Sequence, residues 1–177
     1  MADPSSPQDP VLPLPFLQAG VAQVAFVVRD LDRTVEAYWK VFGIGPWQFY
    51  TYGPPLLARM TYRGQPVEYR MRLALSWFGP MRIELIEVGD GPTVYADFVE
   101  RHGYGIQHLG VLVDDMSAAI AQAEAAGIGV LMDGAGFGLD GDGHYAYLDT
   151  EDIFGTTIEL IARPRQKPLP EKVFPPE

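Results

Sequence analysis

Cysteine is absent from this 177-residue chain. A disulfide framework, a thiolate metal ligand and a thiol nucleophile are therefore excluded, and any metal must be held by nitrogen and oxygen. Positive charge is scarce: 13 Lys and Arg stand against 23 Asp and Glu, a formal net charge of -10 at pH 7. Such a chain repels phosphate backbones and anionic membranes, and it has no basic run to offset this, so the expected partner is a small molecule, with no nucleic acid and no membrane. No apolar run approaches the ~20 residues of a membrane helix. The opening MADPSSPQDPVLPLPF lacks the positive region and unbroken apolar stretch of a secretory signal, so a cytoplasmic protein is expected.

What remains is ordinary for a folded protein: 47% hydrophobic and 20% charged residues, enough for one core or for two small half-domains that share one. Proline crowds the two ends. Residues 1–18 and 164–177 are expected to be extended arms, either mobile or laid across a neighbouring surface.

The interior carries a repeat. Residues 20–45 (GVAQVAFVVRDLDRTVEAYWKVFGIG) and 105–129 (GIQHLGVLVDDMSAAIAQAEAAGIG) both begin with Gly and close with Gly-Ile-Gly. Gly20 and Gly105, like Asp30 and Asp115, are 85 positions apart. Each segment reads as a strand with one buried face, an aspartate N-cap and a helix ended by glycine. The helical stripes are Leu31, Val35, Tyr38 and Phe42 in the first, and Met116, Ile120 and Ala123 in the second. Each half then ends in a strand containing IELI, at residues 81–88 and 156–163. Intervening strands are expected near 48–52 and 66–78 in the first half, and near 128–133 and 144–149 in the second. The pattern is βαβββ twice, over residues 19–90 and 105–163, with a linker helix at 91–104. The expected fold class is α+β, two βαβββ modules forming a curved mixed sheet around a metal-centred cavity. A doubly wound α/β domain is the rival.

Strand parity turns the repeat into a site. Gln23, Ala25 and Val27 share one face, and Val24, Phe26 and Val28 share the other, which should pack on the helix. The same alternation sets His108 apart from Leu109, Glu84 from Ile83 and Leu85, and Glu159 from Ile158 and Leu160. Four polar groups thus meet on the inner face, with small Ala25 and Gly110 leaving room beside them. Two carboxylates buried together repel unless a cation lies between them. A histidine nitrogen and a Gln carbonyl supply the remaining donors, so the expected metal ligands are Gln23, Glu84, His108 and Glu159.

QVAFVVRD, MRIELIEV, GIQHLGVLVDD and GTTIELIA resemble the four ligand strands of the vicinal oxygen chelate superfamily. With FGIGPW at 42–47, the chain is most similar to the branch of methylmalonyl-CoA epimerases and glyoxalase-like lyases, and its ligand set resembles that of animal-type glyoxalase I. The resemblance implies one divalent ion per site (Zn, Co, Ni or Mn), a homodimer, and proton abstraction next to a metal-bound carbonyl through an enolate. The reaction would be that of an isomerase, epimerase or lyase on a small anionic or acyl-CoA-type substrate. Glu159 is the first choice of base and Glu84 the second. Glutathione-dependent glyoxalases carry an arginine four residues after the first ligand and an asparagine four after the second. Val27 and Val88 stand there instead, which argues against a lactoylglutathione lyase. The epimerases usually have His where this chain has Gln23. A metal-free, antibiotic-sequestering binding protein is the alternative of a different class.

Alternation along residues 64–78 sends Val67, Tyr69, Met71, Leu73 and Leu75 toward the helices and directs Glu68, Arg70 and Arg72 inward. Arg70 and Arg72 are then candidate anchors for an anionic substrate, and Glu68 a candidate second base. His144 and Tyr145, after the glycine-rich residues 134–143, are candidates to close over the pocket.

Overall fold

The apolar strand faces read from the sequence meet on both sides of one sheet. The structure, a computed structural model, describes residues 14–176. Its eleven strands form a single curved, unclosed mixed sheet: β1 Gln23–Val28, β2 Trp47–Tyr52, β3 Arg59–Tyr62, β4 Gln65–Pro66, β5 Met71–Phe78, β6 Met81–Val88, β7 Gly105–Leu112, β8 Val130–Phe137, β9 Gly143–Leu148, β10 Thr157–Ala162 and β11 Lys172–Phe174. Their order is β11-β2-β5-β6-β1-β7-β10-β9-β8-β3-β4. The two modules join at their centre, where β1 pairs antiparallel with β7, and each central strand pairs in parallel with the last strand of its own module. The class is α+β.

Four helices accompany the sheet: α1 Leu31–Phe42, α2 Val94–His102, α3 Met116–Ala125 and the short α4 Glu151–Phe154. Asp30 caps α1 by accepting from the Arg33 amide at 2.9 Å, and Asp115 caps α3 by accepting from the Ala118 amide at 3.0 Å. Gly43 ends α1 with φ 66, a left-handed turn open to glycine. Helix α1 covers the outer face of the first module, burying Leu31 and Val35 against Ala74, Ile83 and Leu85, while α3 covers the second, packing Met116, Ala119 and Ala123 on Val111, Ile158 and Leu160.

The inner face is filled more completely than expected. Tyr50, Tyr69, Tyr95, Tyr145, Tyr147, Met71, Met132 and Phe137 form one cluster there, and α2 contributes Val94 and Tyr95 to it. The linker helix therefore plugs the concave side of the sheet.

Two expectations need correction. The strand expected from residue 66 begins at Met71, and residues 59–66 form a hairpin, β3–β4, whose first strand pairs with β8 of the other module. Along β5 the apolar set Met71, Leu73 and Leu75 faces the inner cluster, while Ala74 packs under α1, the reverse of the expected facing. Both faces of this sheet are buried here, so apolarity alone does not tell which side the helix covers. The described parts of the proline-rich ends lie across neighbouring elements, one of the two arrangements expected of them. Pro15–Ala19 forms a 3-10 turn, and Leu14, Phe16 and Leu17 pack on the α3 cluster. At the other end Lys172–Phe174 adds a strand beside β2. Residues 1–13 of the expected N-terminal arm lie outside the described residues. Among the described residues no helix is long and apolar enough to cross a membrane.

Candidate metal centre

The four central strands, in the order β6-β1-β7-β10, each contribute one buried polar side chain to a cluster on the inner face: Glu84, Gln23, His108 and Glu159. Pairing sets their spacing. Ala25 lies opposite both Glu84 and His108, and Gly110 opposite both Gln23 and Glu159. Each polar residue is thus flanked by a small one, and the arrangement repeats across the junction of the modules. A Cβ at Gly110 would lie 2.9 Å from Gln23 Cβ, 2.7 Å from Ile161 Cδ1 and 3.2 Å from Glu159 Oε2, so only glycine leaves space for the cluster.

Gln23 is 1% exposed, His108 0%, Glu84 6% and Glu159 5%. The ligand atoms of Glu84, His108 and Glu159 all lie within 4.8 Å of one another. His108 Nε2 is 3.3 Å from Glu84 Oε2 and 3.2 Å from Glu159 Oε2. Gln23 Nε2 donates to Glu84 Oε2 at 2.8 Å and to Glu159 Oε2 at 3.1 Å, and lies 3.4 Å from His108 Nε2.

Outer contacts fix these groups. The Tyr147 hydroxyl donates to Glu159 Oε1 at 2.9 Å and lies 2.6 Å from the Tyr95 hydroxyl. Gln107 Oε1 is 2.7 Å from His108 Nδ1, which orients the imidazole with Nε2 toward the carboxylates. Arg82 Nε donates to Gln23 Oε1 at 2.5 Å.

Burial pushes the Glu84 carboxyl above the usual carboxylate range; the His108 hydrogen bond opposes this and the Glu159 charge adds to it. Burial works against charging His108, but the Glu159 and Glu84 carboxylates outweigh it and push the imidazole up to about 9. Both displacements come from negative charge crowded into a dry space, and a divalent ion ligated by Glu84, His108 and Glu159 would relieve it. These residues fit such an ion. Gln23 presents its amide nitrogen to the cluster and its Oε1 to Arg82, and only a half-turn of the amide would make it a fourth donor.

The cluster opens on a cleft of about 60 Å³, lined among others by Tyr50, Tyr52, Arg82, Tyr145, Arg163 and Lys167. Of the remaining residues singled out from the sequence, only Tyr145 reaches it, with its hydroxyl 2.8 Å from that of Tyr69. The structure does not bring the others there. Glu68 is exposed at the start of the segment leading into β5. Arg70 is exposed and donates to the Pro54 carbonyl at 3.0 Å. Arg72 lies on the α1 side, 2.8 Å from Asp32 and 3.1 Å from Glu87. His144 Nε2 is 3.2 Å from Asp133 Oδ2 and 3.1 Å from an Arg59 guanidinium nitrogen, on the face of β9 opposite Tyr145. Its parity separates it from the cleft.

Sequence reading passed over Arg82, Tyr147 and Arg163, although parity was available for each. Arg82 is two residues before Glu84, Arg163 four after Glu159, and Tyr147 two after Tyr145. Tyr95 and Lys167 had no such signal, because α2 and the tail reach the cleft through tertiary packing.

The family model described as Glyoxalase/Bleomycin resistance protein/Dioxygenase superfamily matches residues 22–147. Among curated proteins no match was found. Solved structures are similar in fold. The methylmalonyl-CoA epimerase from Mycobacterium tuberculosis is 24% identical, with a TM-score of 0.55 over 86% of this chain and 89% of that one. A substituted form of the Streptomyces coelicolor methylmalonyl-CoA epimerase, in complex with 2-nitronate-propionyl-CoA, is 20% identical, with a TM-score of 0.61 over 85% and 98%. Hypothetical protein BH1468 from Bacillus halodurans C-125 is 16% identical, with a TM-score of 0.55 over 84% and 97%.

Proposed function

This chain belongs to the Glyoxalase/Bleomycin resistance protein/Dioxygenase superfamily, and we propose that it is a metal-dependent isomerase, epimerase or lyase that removes a proton next to a carbonyl of a small anionic or acyl-CoA-type substrate. One observation carries the reading: two buried carboxylates and a buried imidazole converge within 4.8 Å at the end of a cleft. A protein that only binds a ligand gains nothing from this, because burying two carboxylates costs stability unless a cation compensates them.

A divalent ion bound there supplies a Lewis acid that stabilises negative charge growing on a carbonyl oxygen. The chain's own residues do the rest. Glu159 is the proposed base: Tyr147 holds its Oε1, so Oε2 is the oxygen presented to the cluster and the cleft. A carboxylate with one oxygen held from behind and the other turned to the cluster is aimed, which favours proton transfer at a fixed atom. Glu84 faces it across the cluster and is the second carboxylate within reach of a proton there. Burial keeps the Tyr147 and Tyr95 phenols far above their usual range, so both stay neutral donors. Tyr52, Tyr145 and Phe137 wall the cleft with aromatic rings.

The likeness to glutathione-dependent glyoxalases stops at Val27 and Val88, which lie in or against the inner apolar cluster, so a glutathione conjugate is not the substrate we propose. The homodimer implied by the resemblance belongs to the same proposal, and sedimentation velocity reads it directly.

Solvent exchange tests the reaction class. Protein loaded in turn with Zn, Co, Ni and Mn is incubated in deuterated water with 2-oxo acids and short acyl-CoA thioesters. Deuterium should enter next to the carbonyl of at least one compound and not with the Glu159→Gln variant. No exchange across the panel with metal-loaded protein contradicts the proposal.

A further inference from the structure

Three cations stand at the mouth of the cleft in a chain whose net charge is -10. Arg82 precedes Glu84 on the inner face of β6. Arg163 continues the inner row of β10 past Glu159 and Ile161. Lys167 is carried in by the tail, which is fastened on both sides of it: Arg165 Nε is 2.8 Å from Asp142 Oδ2, the Leu139 amide donates to the Gln166 carbonyl at 2.9 Å, and Lys172–Phe174 pairs with β2. The tail thus runs from the centre of the second module to the edge of the first.

These cations differ from their neighbour Arg165 in pairing. Arg165 has Asp142 at 2.8 Å and Asp140 at 3.5 Å. Among the described residues neither Arg163 nor Lys167 has a carboxylate within ion-pair distance, and the side-chain partner of Arg82 is the neutral Gln23. Arg163 and Lys167 are held below their ordinary ranges, first by burial and then by the charge of Arg82 nearby. Arg82 acts on Glu84 within the cleft, but Arg163 and Lys167, brought together beside it with no carboxylate in ion-pair contact, mark a place for an anion. The small cleft and the planar guanidinium forks favour a carboxylate.

Arg82 links this mouth to the cluster. Its Nε holds Gln23 Oε1, which keeps the amide nitrogen, rather than the oxygen, turned toward Glu84 and Glu159. We infer that Arg82, Arg163 and Lys167 form a carboxylate anchor, and that a carboxylate seated there draws Arg82 off Gln23, freeing the amide to present its oxygen to the metal site. Carboxylate and divalent ion then bind cooperatively, each raising affinity for the other by the same factor. The coupling rests on the metal reading above; the anchor does not.

Acetate is a suitable probe, being a weak chelator. In titrations of metal-free protein followed by 13C NMR, labelled acetate should saturate one site. Its affinity should fall at least tenfold in an Arg163→Gln/Lys167→Gln double variant and stay unchanged in Arg70→Gln. Equal binding to wild type and the double variant, or tighter binding of inorganic phosphate than of acetate, overturns the anchor. Calorimetry with Mn2+ at constant ionic strength reads the coupling. Replacing chloride with acetate should tighten Mn2+ at least fivefold in wild type, and change nothing in Arg82→Gln or in the double variant. The double variant keeps every metal donor, so an equal gain there would mean that acetate simply ligates the ion, and the coupling fails. Acetate binding to protein that takes up no divalent ion would retain the anchor and remove the metal reading, so the two failures are distinct.

Discussion

In the second module the site is braced from behind: Tyr147 ties one oxygen of Glu159, Tyr95 backs Tyr147, and Gln107 fixes the ring of His108. In the first module Gln23 is bonded outward only to Arg82, and Glu84 leans on Gln23 and His108. The two modules therefore lay down one frame by repetition, strand for strand, and then divide the work. The second module's pair has more outward contacts to hold its geometry, and the first module's pair has fewer. Preorganised groups suit proton transfer, while adjustable ones suit a site that must respond to substrate.

The sharpest way to break this comparison is to remove one carboxylate at a time. Glu159→Gln should slow proton exchange by about 10²–10⁴-fold, the usual contribution of a positioned base. Glu84→Gln, assayed at metal concentrations that keep the site loaded, should slow it less; equal losses would place the base outside the braced half. Next come the supports. Tyr147→Phe should weaken metal binding by about 10–100-fold, as loss of a group orienting a ligand does. Arg82→Gln, which releases a ligand instead of loosening one, should leave metal affinity unchanged or raised, and calorimetry compares the two.

Acidity offers a third comparison. His108 is pushed up to about 9 and Glu84 is raised above its usual range in the metal-free protein. Metal binding must displace these protons, so affinity should climb as pH rises from the carboxylate range toward about 9 and fall as pH drops. Titrations across that window would show a flat profile if neither group ligates. The smallest effect is at the two equivalent small residues. Gly110→Ala should destabilise the fold by about 1–3 kcal/mol through overpacking against Gln23 and Ile161. Ala25→Gly should cost only about 0.5–1 kcal/mol, and urea melts measure both.

Repetition made the frame legible in the sequence. Asp30 and Asp115 do cap the two helices, and Gln23, Glu84, His108 and Glu159 do share a face, because strands with one apolar row against a helix obey a period of two. The same rule misplaced Arg72. Met71, Leu73 and Leu75 pack against tyrosines on the inner face, so the apolar row of β5 points away from α1, and Arg72 meets Asp32 on the helix side. Tyr95 and Lys167 come from segments whose approach to the cleft is set by packing of α2 and the tail, which leaves no periodic trace. The β3–β4 hairpin was hidden for a related reason: β3 finds its partner, β8, in the other module.

Metal content tests the central claim most directly. Protein purified without chelators, analysed for its elements and titrated with Zn, Co, Ni and Mn, should bind one divalent ion per chain, and His108→Ala and Glu159→Gln should bind it far more weakly while melting as cooperatively as wild type. Wild type that binds no divalent ion, or variants that bind it as tightly as wild type, would contradict the account.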